Sequence, residues 1–160
     1  MTRIAIIGGG PGGYEAALVA ARLGAEVTIV DRDGIGGAAV LTDCVPSKTL
    51  IATADVMTAF EAAPELGVRV GDGGRCVTGV DLARVNARVL ALAAKQSEDI
   101  AEGLVKAGVT VLRGSGRLVD GGRAVEAALP EGGRLTIQAD AVILATGARP
   151  RELADRKSVV

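Results

Sequence analysis

The chain has 160 residues, with 18 Lys and Arg against 19 Asp and Glu, a formal charge of −1 and no histidine. That balance, with no basic block, argues against nucleic acid as a partner. The missing imidazoles exclude His-based triads, His-rich metal sites and an imidazole general base within these residues.

Hydrophobic residues make up 49% of the chain and aromatic residues only 1%, a single Tyr14 and a single Phe60. The expected core is therefore Val, Leu, Ile and Ala, with no rings on which bases could stack. The length suits one core and is too short for a two-domain nucleotide enzyme. Cys44 and Cys76 lie far apart and match no metal spacing, so no metal site is expected and a reducing cytoplasm fits. The apolar N-terminus is broken by glycines and lacks a basic region and cleavage site, so it does not read as a signal peptide. Glu15 and Arg22 interrupt the next apolar stretch, so no membrane span is expected.

Residues 3–8, R-I-A-I-I-G, predict a strand that runs straight into G-G-G-P-G-G. A small-residue helix is expected over Pro11 to Leu23, stopped by Gly24, and a second strand over Glu26–Val30 that delivers Asp31. In this strand–turn–helix–strand setting the spacing Gly8-x-Gly10-x-x-Gly13 is a dinucleotide fingerprint. Gly8 permits a tight turn, Gly10 lets the backbone approach a pyrophosphate, and Gly13 lets helix and strand pack closely. The helix N-terminus, entered through the backbone of Pro11 and Gly12, adds free N–H groups beyond Pro11 and positive dipole. Asp31 stands where a carboxylate can accept from an adenosine ribose hydroxyl, and its charge disfavours a 2′-phosphate. This much leaves NAD and FAD equally open.

Residues 32–43 read as a glycine-bearing loop. A helix is expected over 45–63 with Val45, Leu50, Ala54, Met57 and Phe60 inward, Pro46 near its start and Pro64 as its terminator. A short strand is expected at Val68–Val70. Asp81 can cap a long helix over Leu82–Ala107 with an inward stripe of Val85, Val89, Leu92, Ile100, Leu104 and Val105, stopped by Gly108. Residues 109–112 predict a third strand. From 116 to about 138 the period switches to two around turns at Gly121–Gly122 and Pro130–Gly133, which predicts a small antiparallel meander. A last strand follows at Ala141–Leu144. The order predicts an α/β domain with a mostly parallel sheet.

Three further strings narrow the reading: I-G-G-A-A-V-L-T-D-C-V-P-S-K at Ile35–Lys48, S-G-R-L-V at Ser115–Val119 and V-I-L-A-T-G-A-R-P at Val142–Pro150. With the N-terminal fingerprint they resemble the FAD domain of the pyridine nucleotide–disulfide oxidoreductases, the group containing lipoamide dehydrogenase, glutathione reductase and mercuric reductase. The resemblance runs from Arg3 to about Pro150. It implies a Rossmann-like FAD-binding domain over residues 1–150, with 151–160 a tail or the start of a crossover to a nicotinamide-binding domain, so that the chain is expected to be truncated.

By this resemblance Gly8, Gly10, Pro11, Gly12 and Gly13 hold the FAD pyrophosphate and Asp31 the adenosine ribose. Gly36 and Gly37 let the following loop lie against the cofactor, and Gly116 contacts the adenine through its backbone. Ala145, Thr146 and Gly147 form the segment where a strand ends beside the cofactor. Arg32, Ala39, Thr42 and Asp43 count among the cofactor-binding residues. Lys48 resembles the lysine beside flavin N5, where a cation stabilises charge developing on reduction; otherwise it is an ordinary solvated side chain. Cys44 stands in the place of the second, flavin-proximal redox cysteine, and Ala39 in the place of the first. Alanine cannot form a mixed disulfide, so the dithiol–disulfide cycle is not expected. Cys44 reads either as a thiolate donor near the flavin or as an inert buried cysteine. Cys76 reads as structural or incidental.

The pattern looks like that of the quinone-reducing branch. It implies a parent FAD-dependent enzyme that passes electrons from NAD(P)H through the flavin to a quinone-like acceptor. The nicotinamide would be bound mainly by a domain absent here, and the parent would be a homodimer. The fragment alone is expected to bind FAD poorly and turn over little. A dihydrolipoamide-dehydrogenase-like reductase is one alternative. A non-catalytic flavin- or nucleotide-binding fragment, including a broken frame with a non-native tail from about Arg151, is another. A third is an NAD-dependent dehydrogenase, against which the Lys48 region and the meander argue.

Overall fold

A computed structural model of the chain describes residues 1–69 and 79–148. The first strand, β1 (Arg3–Ile7), is apolar in both parities, and both parities are used. Ile6 is fully buried against the helical side, while Ala5 and Ile7 are buried on the opposite side. A strand covered on both faces reads as a continuous apolar run, as this one does. The second strand, β2 (Glu26–Asp31), repeats the division, with Val27 and Ile29 toward the helices and Val30 away from them.

Helix α1 (Pro11–Arg22) joins these strands and buries Gly13, Ala17 and Ala20, small residues that let it lie close to the sheet. Leu23 caps it and Gly24 (φ +85°) ends it, as expected. After β2 come a five-residue helix α2 (Gly37–Leu41), α3 (Cys44–Ala62) and a 3-10 turn over Ala63–Leu66. Asp81 Oδ1 then accepts from Arg84 N at 3.0 Å and starts α4 (Leu82–Lys106). Strand β3 (Thr110–Arg113) follows, then the meander β4 (Ser115–Val119), β5 (Ala124–Ala128) and β6 (Arg134–Gln138), and finally β7 (Ala141–Leu144).

The parallel sheet has the order β3-β2-β1-β7, and the meander forms a separate antiparallel sheet in the order β4-β5-β6. The molecule therefore has three layers: α1 and α4, the parallel sheet, and the meander. Val125, Ala127 and Ala139 pack from the meander side onto Ala5, Ile7 and Val30. Leu104 of α4 is fully buried with Ile6 and Ile29 on the other side. The chain runs outward from β1 to β3 and then returns to β7 on the far side of β1. Such a reversal of strand order opens a crevice at the carboxyl ends of the strands, where ligands of α/β sheets bind.

Several expectations are corrected. The loop at 32–43 contains α2. Helix α3 has no buried residue; Val45 and Met57 are half-buried, while Leu50 (49%) and Phe60 (45%) are exposed with Ala54. Its apolar residues are spread around the helix rather than gathered on one face, so periodicity could not orient it. The α-helix does end at Ala62, just before Pro64 as expected, but Pro64 is also the second residue of the 3-10 turn that follows, where its missing N–H costs nothing, and Gly67 (φ +78°) stops that turn. In α4, Leu92 and Val105 are exposed, whereas Ala93 is buried. Val68 and Arg69 are in no strand. Val70 and Cys76 lie outside the described residues, as do Arg149, Pro150 and the tail 151–160.

Candidate functional site

All four parallel strands end at one rim, and the glycine turn sits on it. Beyond Ile7 the chain adopts φ +106° at Gly8, whose N–H donates to Val30 O at 2.8 Å. Gly8 lies against the Ala145 carbonyl. A Cβ on Gly13 would press on the Gly8 carbonyl and come within 3.2 Å of Ala145 Cβ. No Cβ fits at either position, which is the close approach of helix and strand that the spacing predicts.

Gly10 differs from these two. It caps α1 in an extended conformation (φ −67°, ψ −179°), and a Cβ there would meet nothing within 4 Å. Gly10 O accepts from Gly13 N and Tyr14 N, both at 2.9 Å, which closes the first turn. Pro11 has no N–H, and Gly13 N and Tyr14 N are taken by Gly10 O, so the Gly12 N–H and the helix dipole are what the first turn offers to the open space beside Gly10. That arrangement fits an anionic diphosphate.

Asp31, at the end of β2, fixes the turn from below. Its Oδ2 accepts from Gly9 N at 2.6 Å, and its Oδ1 from Asp33 N at 2.9 Å and Gly34 N at 2.6 Å. A carboxylate has about four lone-pair sites, so one on Oδ2 is left for a further donor. Next to it the Arg32 guanidinium donates from Nε (3.0 Å) and Nη2 (2.9 Å) to Asp33. Hydrogen bonding from Arg32 holds the Asp33 carboxyl below the usual carboxylate range, and Asp33 in turn raises Arg32.

Between these groups lies a polar cleft of about 180 Å³, lined by Ile7, Gly8, Val30, Asp31, Arg32, Asp33, Gly114, Ser115, Gly116 and Thr146. Five of the sequence-predicted residues meet here: Gly8, Asp31, Arg32, Gly116 and Thr146. Gly116 is set by packing, with its α-carbon over Ile7 and Val30 so that a Cβ would come within 3.1 Å of Ile7 Cγ2. Gly10, Pro11, Gly12 and Gly13 form the adjoining turn. Gly36 and Gly37 come up against it, since Gly36 N donates to Gly9 O at 2.7 Å and a Cβ on Gly37 would lie 2.8 Å from Gly10 Cα. Ala145 abuts Gly13, and Gly147 (φ +72°) follows on the surface.

The remaining predicted residues are not in the cleft. Ala39 is half-buried in α2, Thr42 caps that helix, and Asp43 precedes α3 with its carbonyl accepting from Ser47 N and Oγ. Cys44 is an exposed free thiol at the first position of α3, and Lys48 is exposed one turn on. The sequence reading missed Asp33, Gly114 and Ser115 in the cleft wall. For Asp33 the signal was present in the D-R-D run at the strand end; for the other two it was their place beside Gly116.

A glycine turn at a helix N-terminus, a carboxylate with a free acceptor site and a polar cleft thus meet at one rim. The family model of the pyridine nucleotide-disulphide oxidoreductases matches residues 2–158. The chain belongs to that family. Among curated relatives, an NAD(P)H dehydrogenase (quinone) of Mycobacterium tuberculosis is 48% identical over 96% of this chain and 32% of its own length. A dihydrolipoyl dehydrogenase of Chlorobaculum tepidum is 39% identical over 92% of this chain and 30% of its own. The crystal structure of LpdA from Mycobacterium tuberculosis matches with a TM-score of 0.85 and 46% identity, covering 96% of this chain and 33% of that one. The chain therefore spans about a third of the length of the relatives it matches.

Within this oxidoreductase family the chain has Ala39 where the resemblance places the first redox cysteine, and Cys44 is unpaired. Among the described residues no disulfide is present, no group of three acidic, Cys or His side chains could hold a metal ion, and no helix is long and apolar enough to cross a membrane.

Proposed function

We propose that residues 1–150 form the FAD-binding region of an NAD(P)H oxidoreductase that delivers electrons to a quinone-like acceptor without a redox-active disulfide. The observation that carries this reading is the cleft at the strand ends, which brings Gly8, Asp31, Arg32, Gly116 and Thr146 together beside an anion-binding turn. When bound, FAD supplies hydride acceptance from NAD(P)H and onward electron transfer. Gly10 and Gly12 would hold its pyrophosphate, and Asp31 Oδ2 would accept from the ribose. Gly116 and Thr146 would border the adenosine. Asp31 and Asp33 together disfavour a 2′-phosphate here.

The acceptor is argued from Ala39. Thiol–disulfide exchange needs an attacking thiolate and a second sulfur to close the cycle, and position 39 offers neither. Bound FAD would then supply transfer of two electrons and a proton from NAD(P)H to a small oxidant, a chemistry that the name of the 48% identical relative also suggests. Lys48 would stabilise negative charge on the reduced ring. No residue of this chain is assigned to the nicotinamide or to homodimer contacts.

The test compares the chain with the longest reading frame that contains it. The longer protein is expected to be yellow and to oxidise NAD(P)H with a quinone but not with lipoamide. Lipoamide turnover would overturn the role given to Ala39. A colourless protein that ignores added flavin would overturn the cofactor assignment.

A further inference from the structure

Ser97 is a hydroxyl on an otherwise apolar helix face. It lies in α4 between buried Ala93 and half-buried Ile100, positions that helical spacing puts on the core side. Its Oγ donates to Ile35 O at 2.5 Å, a half-buried bond that spans 62 residues of sequence. Ile35 is itself 4% exposed, so its carbonyl has little access to water. A buried carbonyl without a donor is costly, so this contact fixes where Ile35 can lie.

The two glycines after Ile35 give the contact a function. Gly36 N donates to Gly9 O at 2.7 Å, and Gly37 sits so close to Gly10 that a Cβ would come within 2.8 Å of its α-carbon. The Ile35 side chain also reaches the turn, with its Cδ1 2.6 Å from the place a Gly9 Cβ would occupy. A continuous set of contacts thus runs from α4 through Ser97, Ile35 and Gly36 to the anion turn. Asp31 holds the same turn from the other side through Gly9 N, and holds the segment leading to Ile35 through Asp33 N and Gly34 N.

We infer that Ser97 is a positioning residue. It anchors the Gly36–Gly37 segment against the anion turn and so shapes the pyrophosphate end of the site without touching the ligand. The inference rests on the FAD reading for its consequence in binding, but not for the anchoring itself. It also predicts which half of the ligand feels the change, because Ile35, Gly36 and Gly37 border the turn and not the adenosine cleft.

Three forms of the chain test it: unsubstituted, Ser97→Ala and Ser97→Thr. Hydrogen exchange is measured without ligand, at a temperature where all three are folded. Ser97→Ala is expected to speed exchange of the Gly36 amide roughly tenfold, the scale of a lost hydrogen bond to a buried carbonyl, while Val27 and Ile29 in β2 stay protected. Ser97→Thr, which keeps the hydroxyl, restores protection. Equal acceleration everywhere would mean general destabilisation, and no acceleration would mean no anchor; either result overturns the inference. In the longest reading frame, Ser97→Ala is expected to weaken FAD about tenfold and leave binding of adenosine, which has no phosphate, unchanged. Unchanged FAD affinity would overturn the positioning role while leaving the cofactor assignment intact. If the unsubstituted protein binds no FAD but the exchange pattern holds, the cofactor assignment fails and the anchor stands.

Discussion

Gly10 and Gly13 stand three residues apart in one motif, yet the structure gives them opposite tasks, and a paired alanine substitution separates them. At Gly13 a methyl group would press on the Gly8 carbonyl, come within 3.0 Å of Gly8 C and 3.2 Å of Ala145 Cβ. Two of these are backbone atoms at the end of β1, which cannot rotate away as a side chain can. Overpacking a closed contact costs about 1–3 kcal/mol, and a backbone obstacle places this one near about 3. At about 2–4 °C per kcal/mol for a domain of this size, Gly13→Ala should lower the melting temperature by roughly 6–12 °C.

At Gly10 the methyl group meets nothing within 4 Å, and φ of −67° is one that alanine adopts freely. Removing a glycine under those conditions stabilises by about 0.4–1 kcal/mol through the unfolded chain. Gly10→Ala should therefore melt no lower than the unsubstituted chain. Its methyl group would occupy the space assigned to the pyrophosphate, and loss of one charge-assisted hydrogen bond, about 1.5–3 kcal/mol, should weaken FAD roughly 10- to 100-fold. Differential scanning calorimetry on the chain and flavin titration of the longest reading frame give the two readouts. A Gly13→Ala protein as stable as the parent would refute the close packing of helix and turn. A Gly10→Ala protein that binds FAD normally would refute the placement of the diphosphate.

Asp31→Asn replaces one acceptor oxygen by a donor among three backbone N–H groups, so it should destabilise by about 1–3 kcal/mol and speed hydrogen exchange at Gly9 and Gly34; unchanged exchange would show that those bonds do not hold the turn. Asp140 joins the starts of β1 and β7, accepting from Arg3 Nη2 at 3.0 Å and Arg3 N at 2.8 Å. The Arg3 side chain first, and its N–H next, hold this carboxyl below its usual value. A depressed folded pKa contributes stability above the unfolded value of about 3.9 and loses it as pH falls through the folded value. Asp140→Asn should therefore lower the melting temperature at pH 7, and the difference should vanish toward pH 2; a difference that persists at pH 2 would assign the loss to something other than charge. ADP should compete with FAD for the proposed site, whereas FMN, which lacks adenosine, should not; competition by FMN alone would place the anchor at the wrong end of the cofactor.

Most of the parallel sheet was legible because its signals are local. Glycine spacing, the alternation at Gly116 onward and the Asp81 cap each specify their own few residues, and strand and helix bounds agree with the expectation to within about two residues. The sequence was silent where the decision is tertiary. Whether Leu92 or Ala93 is buried depends on the rotation of α4, which is set by packing against α2, α3 and β3 rather than by α4 itself. Helix α3 carries enough apolar residues to imitate a core helix on any face. At the site, the glycines and Asp31 were legible because their chemistry depends on type and spacing. Ser97 was not, since its partner lies 62 residues away and a serine within an apolar stripe looks like noise.

The proposed site is also uneven in how much of its framework this chain supplies. Its phosphate and adenosine end is built from the ends of all four parallel strands, and Gly9, Gly13 and Gly36 there are buried. Its redox end rests on α3, a helix with no buried residue whose Cys44 and Lys48 are both in solvent. A water-exposed ammonium stabilises neighbouring charge far less than a desolvated one. Lys48 can therefore assist flavin reduction only when further structure covers α3 and excludes water from it. The relatives, three times as long, have chain to spare for that purpose. On the proposed reading, affinity for the adenosine half and competence in electron transfer should accordingly separate, the first residing in the strand-end residues and the second requiring structure that covers α3.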